Sequence, residues 1–305
     1  MQRSIVVLLP AYNEEVSIAV TIQSFKKALP KANIWVCDNN STDNTAQEAL
    51  NAGAQVITQR LKGKGNAFKM LICNIEADIY VLADADDTYE AAAAPTLIDV
   101  LIKSNLDMVI GSRVGNSEGQ YRAGHKLGNK FFSNAFSVLF GMKVDDLFSG
   151  YRVFSKRFAK TFPSISKGFE IETEINAHLI TYSLPFQEIP TKYSARAEGS
   201  ESKLNKINDG FRILYYLLIF LRDHSPLKAF SYLGVFLSIC CLILFFPIYF
   251  DFLNTGEVDR FPTLFISVVL GAGGLASFFT ALILDGIKIN RRSNFMHQYH
   301  NWTSK

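Results

Sequence analysis

Ile79-Tyr80-Val81-Leu82-Ala83-Asp84-Ala85-Asp86-Asp87 is a short apolar run that breaks into carboxylates. It has strand length, β-branched and aromatic content and no polar alternation. It therefore reads as a strand, Ile79–Ala83, buried on both faces. Runs of the same kind stand at Ser4–Leu9, Asn33–Cys37, Ala54–Thr58 and Asp107–Ile110. Between them the spacing predicts helices over Glu14–Leu29, Thr42–Asn51, Gly65–Glu76 and Ala92–Lys103. Doubly apolar strands alternating with helices mean an α/β fold, a mostly parallel sheet with helices on both faces. Ligands of such sheets bind at the carboxyl ends of the strands. The residues after each strand are the ones to read.

Pro10-Ala11-Tyr12-Asn13-Glu14-Glu15 follows the first strand, and Asp38-Asn39-Asn40-Ser41-Thr42-Asp43-Asn44-Thr45 the second. Lys62-Gly63-Lys64-Gly65-Asn66-Ala67 follows the third. Singly, each has an ordinary reading: Asn13 and Thr42 as helix N-caps, Gly63 and Gly65 as a turn, the acids as solvated. Together they gather carboxylates, amides and a lysine on one rim of one sheet. Asp84 and Asp86 are the sharpest pair, because alternate residues of an extended chain point the same way. Two carboxylates with valences left for phosphate oxygens suit Mg²⁺ or Mn²⁺ holding a nucleotide diphosphate.

Composition bounds the alternatives. The chain has 305 residues, 19% charged and 49% from the set AVILMFWYC, which excludes a disordered protein. A net charge of +3 is too small to mark a nucleic-acid binder, and no such partner is expected. Cys37, Cys73, Cys240 and Cys241 show neither ligand spacing nor a disulfide framework, which reads as a reducing compartment and not a zinc protein.

The apolar excess lies toward the C-terminus. Ala229–Phe250 gives 22 residues without a charge and Phe261–Leu284 gives 24. Each can cross a hydrocarbon layer about 30 Å thick at about 1.5 Å per residue. Soluble helices this long keep a polar face, and these have none. Lys203, Lys206, Arg212, Arg222 and Lys228 precede the first run, and Lys288, Arg291, Arg292 and Lys305 follow the second. By the positive-inside rule both termini are cytoplasmic. Ile5–Leu9 is too short for a signal-peptide core. The expected organisation is a cytosolic domain over 1–203, a juxtamembrane amphipathic helix over 204–228, and spans over 229–250 and 261–284. An external loop, 251–260, joins the spans, and a cytosolic tail covers 285–305. That is a multi-pass protein of the inner cell membrane.

Pro10–Glu15, Asp38 with Ser41, Asp43 and Thr45, Lys64-Gly65-Asn66-Ala67 and Asp84–Tyr89 resemble the signature of family 2 glycosyltransferases of the GT-A (Rossmann-like) fold. Gly111-Ser112-Arg113, Asp146-Leu147-Phe148-Ser149-Gly150-Tyr151-Arg152 and Tyr193-Ser194-Ala195-Arg196 narrow it further. With Gly199 and Ser202-Lys203 they are similar to the polyprenyl-phosphate glycosyltransferases, the group of dolichyl-phosphate mannose synthases and bactoprenol glucosyltransferases. The resemblance covers roughly residues 4 to 224, and the C-terminal hairpin matches the bacterial members. It implies transfer of one sugar, with inversion, from a nucleotide-diphosphate sugar to a polyprenyl phosphate. The nucleotide-sugar set would be Pro10, Tyr12, Glu14, Asp38, Asn40, Lys64, Asp84, Arg196 and Lys203. Asp86, with Asp84, would hold a divalent cation, Mg²⁺ or Mn²⁺. Arg113, Arg122 and Arg152 would face the acceptor phosphate. Where the mannose synthases place Leu-Gln after the second aspartate, this chain has Asp87-Thr88, which leaves a third protein ligand open.

The chemistry is consistent without the likeness. A lipid monophosphate is already anionic, so the reaction needs positive charge around two phosphates more than a strong base. Arg113, Arg122, Arg152 and Arg196 supply forks suited to that task. Asp146 either orients one of them or acts as a base. Lys130–Phe140 and Ile207–Leu221 carry apolar faces beside basic residues and read as interfacial helices, the first equally as core. Glu170, Glu172 and Glu174 either complement a helix dipole or meet sugar hydroxyls. A processive polysaccharide synthase of the same fold is the alternative enzyme. Its Gln-x-x-Arg-Trp motif has only an echo in Gln298-Tyr299-His300-Asn301-Trp302, which lacks the arginine. A non-catalytic membrane adaptor is the third reading. The expected partners are the nucleotide sugar, the lipid, the membrane, further copies of the chain, a separate flippase and a downstream transferase.

Overall fold

Each apolar run of the N-terminal region forms a strand in the computed structural model, which describes residues 3–114, 137, 146–194, 215, 219 and 222–303. The described chain forms two compact units, one of residues 1–217 with 297–305, the other of 218–296. In the first unit, β1 (Ile5–Ala11), α1 (Ile18–Ala28), β2 (Asn33–Asp38), α2 (Thr45–Asn51) and β3 (Gln55–Thr58) alternate. Then come α3 (Lys64–Asn74), β4 (Ile79–Leu82), a 3₁₀ turn over Ala91–Ala93, α4 (Ala94–Lys103) and β5 (Met108–Val114). The described remainder adds β6 (Arg152–Ser155), α5 (Lys156–Thr161), α6 (Ile171–Thr181) and β7 (Phe186–Lys192).

The described strands make one sheet in the order β3-β2-β1-β4-β6-β5-β7. The β1–β2, β1–β4, β2–β3 and β5–β7 pairs are parallel, while β6 runs antiparallel to both β4 and β5. Four buried residues in a row on β4 show why it carries no alternation: both faces are covered. On one face Val7, Leu9, Val81 and Val153 pack with Ile18, Ile22, Phe25 and Leu97. On the other, Tyr80 stacks on Phe154, and Phe154 meets Phe68 and Phe158 edge-on.

Two strands escape a reading by hydrophobicity. β6 opens with Arg152, and β7 is a half-exposed edge strand that tolerates Pro190 because it pairs on one side only. Asn13 and Thr42 are not N-caps. Asn13 has φ +53°, and its side chain accepts the Thr42 N–H at 2.8 Å, tying the first rim loop to the second. α1 and α2 begin later, after Ser17 and Asn44.

The second unit holds α7 (Pro226–Thr255) and most of α8 (Phe261–Thr303), both long and apolar enough to cross a membrane. A core helix of a soluble protein would bury its large apolar residues. Here Phe236, Ile243, Phe265 and Leu282 are 62–64% exposed. The two helices meet through small residues: a Cβ on Gly274 would stand 2.8 Å from Ser238 Oγ and 3.1 Å from the Gly234 carbonyl. Ser277 Oγ donates across to the Phe230 carbonyl at 2.8 Å.

The last turns of α8, from His297 on, group with the first unit. Tyr299 donates its hydroxyl to Asp107 Oδ2 at 2.6 Å, and Lys156 lies over the Trp302 ring at 5.6 Å. Asp107 is fully buried just before β5, so this contact is at the opposite end of the strands from the ligand rim. Two aromatics of the processive-motif echo, Tyr299 and Trp302, are thus engaged by Asp107 and Lys156. Tyr299→Phe takes one donor from a buried carboxylate that Ser155 and Arg157 also hold. It should cost about 1–3 kcal/mol of stability and lower the melting temperature of the full chain by several degrees. An unchanged melting curve would refute this.

Candidate active site

The carboxyl ends of β1, β2 and β4 open on a cleft of about 250 Å³. Pro10, Tyr12 and Glu14 line it from the first loop, Asp84 and Asp86 from the end of β4, and Lys62 and Lys64 from the start of α3. These are separated stretches of sequence that the parallel sheet delivers to one place.

The second loop supplies a different asparagine from the one expected. Asn40 is exposed with φ +63° and does not line the cleft, whereas Asn39 is buried and does. Its amide donates to the Gln59 and Leu61 carbonyls at 3.2 and 2.7 Å and accepts the Gly63 N–H at 2.6 Å. Asp38, also buried, accepts the Ser41 N–H at 3.2 Å and shapes the turn without joining the lining. Lys62, passed over in favour of Lys64, donates to the Tyr12 hydroxyl at 2.7 Å and lies 4.6 Å over its ring centre.

Gly63 and Gly65 do more than turn. A Cβ on either would come within 2.1–2.2 Å of the Lys167 or Ser166 carbonyl. That close approach lets the Gly168 and Lys167 carbonyls accept the Gly65 and Asn66 N–H groups at 3.2 Å, satisfying the open start of α3. The loop is held in turn by α6. Glu174 accepts the Ile165 and Ser166 N–H groups at 2.8 and 2.7 Å, and Glu170 accepts those of Lys167 and Gly168 at 3.2 and 3.0 Å. Glu172, between them, does not line the cleft but pairs with Lys64 at 2.5 Å. Neither dipole complementation nor sugar hydroxyls is needed to explain these acids.

Lys64 also pairs with Asp84 at 2.5 Å. Partial burial disfavours the charged ammonium, but the charges of Asp84 and Glu172 outweigh it and hold Lys64 protonated. Burial likewise raises the Glu172 carboxyl, against the pull of Lys64. Asp86 is 2% exposed, and its Oδ1 accepts the Thr88 hydroxyl at 2.6 Å and the Thr88 N–H at 3.3 Å. The departure at Asp87-Thr88 therefore has a purpose: Thr88 fixes the carboxylate of Asp86. Asp87, at φ +57°, does not line the cleft, and its carboxyl is raised by burial and by the charge of Asp86. Asp84 and Asp86 line one cleft with hard oxygen donors, and the pair fits a divalent cation. Among the described residues no group of three or more His, Cys, Asp or Glu side chains is arranged to hold a metal. Such a cation would fill its remaining positions with water or with the ligand's oxygens.

Asp146 gives both oxygens to Arg113. Nε and Nη2 donate at 2.7 Å each, and the Arg113 backbone N–H adds a third bond at 3.0 Å. The guanidinium also lies 5.4 Å from the Tyr193 ring centre. This geometry supports Asp146 as the group that orients Arg113. If so, Asp146→Asn should reduce kcat/KM less than Arg113→Ala does. The opposite order would make Asp146 a base.

Arg152 is not where the motif suggested. It is fully buried, with Nε donating to the Ser149 carbonyl at 2.9 Å and Nη1 to Asn176 Oδ1 at 2.8 Å. A guanidinium so satisfied supports the Asp146–Arg152 segment from inside and does not face an acceptor. Gly150 of the same segment lies under the ion pair: a Cβ there would stand 2.9 Å from both Asp84 oxygens and 3.0 Å from Lys64 Nζ. Arg122, Arg196 and Lys203 lie outside the described residues, as do both expected interfacial helices apart from Ser137, Tyr215 and Ile219.

Comparison with known proteins follows the same geometry. Residues 6–162 match the family described as Glycosyl transferase family 2. Protein RfbJ of Shigella flexneri is 50% identical over 124 residues, 40% of this chain and 96% of that protein. Glycosyltransferase AglJ of Haloferax volcanii is 33% identical over 233 residues, 76% of each chain. Among solved structures, glucosyl-3-phosphoglycerate synthase of Mycobacterium tuberculosis, in complex with Mn²⁺, uridine diphosphate and phosphoglyceric acid, superposes with a TM-score of 0.61. It is 21% identical, over 72% of this chain and 78% of that one, a likeness of fold.

Proposed function

Because the chain belongs to glycosyl transferase family 2, we propose that it moves one sugar from a nucleotide-diphosphate donor to a polyprenyl phosphate at the cytosolic face of a membrane. The observation that carries the donor half is the Asp84–Asp86 pair beside Lys64 in one cleft at the strand ends. The lipid half is supported by α7 and α8, whose apolar side chains are turned outward.

Asp84 and Asp86 would hold Mg²⁺ or Mn²⁺, a proposal that the Mn²⁺ and uridine diphosphate of the mycobacterial synthase support. When bound, the cation supplies charge that stabilises the departing nucleoside diphosphate. Lys64 adds a fixed positive charge from the same wall. Arg113, oriented by Asp146, is offered to the acceptor phosphate, and Arg122, Arg196 and Lys203 are proposed by resemblance for the two phosphates. The acceptor oxygen is anionic at neutral pH, so no carboxylate has to take a proton from it.

The test is a panel of radiolabelled nucleotide sugars incubated with membranes carrying the full chain and a short polyprenyl phosphate. Label should pass into organic solvent, be released by mild acid, and stay at one sugar per lipid at long times. Excess EDTA should abolish it. A ladder of longer glycans or label in water-soluble polymer would replace this reading with chain elongation. Among the described residues two helices are long and apolar enough to cross a membrane, and carrying the sugar across would fall to a separate flippase and its use to a downstream transferase.

A further inference from the structure

We infer that Glu172 is a positioning residue that keeps the Lys64 ammonium paired when a divalent cation occupies Asp84, and thereby sets the affinity for that cation. The inference rests on the donor reading above. Lys64 Nζ lies 2.5 Å from Asp84 Oδ1 and 2.5 Å from Glu172 Oε1, so one ammonium is shared between the end of β4 and the first turn of α6. The Lys64 and Glu172 side chains are 12% and 6% exposed, whereas Asp84 is 28% exposed and lines the cleft. Asp84 is thus the partner open to a ligand, and Glu172 the partner sealed behind it.

A cation on Asp84 takes up the charge that pairs with Lys64. With no second carboxylate, cation binding would leave a buried, uncompensated ammonium, among the most costly arrangements in a protein interior. Lys64 has little room to escape, since Gly150 closes the space beneath it. Glu172 removes that penalty. Its other oxygen, Oε2, is buried with no hydrogen-bond partner among the described residues, so it has an acceptor in reserve when the ammonium leans toward it. Its own position is fixed from both sides. Glu170 and Glu174 anchor α6 to the loop over Ile165–Gly168, and Ile171 and Ile175 are buried beneath.

The experiment measures Mn²⁺ affinity of the full chain in detergent micelles, from the loss of the free-Mn²⁺ paramagnetic resonance signal, with no donor or acceptor present. Melting curves on each variant establish folding. Glu172→Gln should weaken Mn²⁺ binding tenfold or more. Glu172→Asp keeps the charge but withdraws it by one methylene, so it should weaken binding in the same direction, and it serves if Glu172→Gln does not fold. Adding Lys64→Met to Glu172→Gln removes the stranded ammonium and should restore affinity to within threefold of the parent. Normal Mn²⁺ affinity in a folded Glu172→Asp variant would overturn the inference, because charge without contact would then suffice. So would a double variant still tenfold weak. A parent chain that binds no Mn²⁺ would overturn the cation reading of the donor site and this inference with it.

Discussion

Asp86→Asn should lower kcat/KM by about 10³-fold, or about 4 kcal/mol of transition-state stabilisation, while leaving the fold intact. The substitution preserves shape, and the amide oxygen can still accept the Thr88 hydroxyl and N–H that hold Asp86 Oδ1 at 2.6 and 3.3 Å. What it removes is one full negative charge, 2% exposed, at the end of the central strand β4. Among the described residues no third carboxylate stands close enough to complete a metal-holding group, so no neighbour can take its place. Initial rates of sugar transfer at several Mn²⁺ concentrations read the effect, and excess Mn²⁺ should not restore the rate. A folded variant with parental turnover would rule out Asp86 as the cation's ligand.

Gly150→Ala should cost about 10²-fold in kcat/KM, although it adds one methyl and alters no charge. The new Cβ would lie 2.9 Å from both Asp84 oxygens and 3.0 Å from Lys64 Nζ, closer than such atoms normally approach. The backbone cannot retreat, because the Gly150 N–H donates to the Tyr89 hydroxyl at 2.8 Å. Tyr89 is itself wedged between Tyr151 and Tyr193, at 5.3 and 5.2 Å between ring centres. Asp84, open on the cleft side, is the group that moves, and it moves into the space the donor needs. Misplacement of a reacting constellation by about 1 Å is enough for a loss of that size. Donor-binding isotherms should weaken in parallel, with the melting temperature changed by only a few degrees. A variant within threefold of the parent would show that the site can absorb a shifted Asp84.

The legible part of this molecule was the part in which local pattern and burial coincide. β1, β2, β4 and β5 carry unbroken apolar runs because the sheet is covered on both faces, and the rim loops follow from strand ends. Asp84 and Asp86 were legible as carboxylates that end an apolar run, although β4 stops at Leu82 and the chain bends over 85–87, so the strand period expected to align them does not extend that far. α7 and α8 were legible by length alone. β6 and β7 were not: one begins with a buried arginine held by the Ser149 and Leu147 carbonyls just upstream and by Asn176 of α6, and the other is a half-exposed edge.

The sequence by itself determined the α/β alternation, the rim of polar loops, the paired carboxylates and the apolar C-terminal helices. Each is written in a short window whose periodicity or spacing is set by backbone geometry. Tertiary structure alone decided that Asn39 and not Asn40 enters the cleft, since pleat direction at a strand end depends on register. It decided too that Arg152 is internal while Arg113 is presented by Asp146, because a guanidinium's exposure depends on which distant acceptors meet it. The Lys64–Asp84–Glu172 cluster and the glycine beneath it join the start of α3, the end of β4, the approach to β6 and the first turn of α6, all far apart in the chain. Charge pairing in a buried site is a property of distances across the fold, and no local stretch of sequence encodes it.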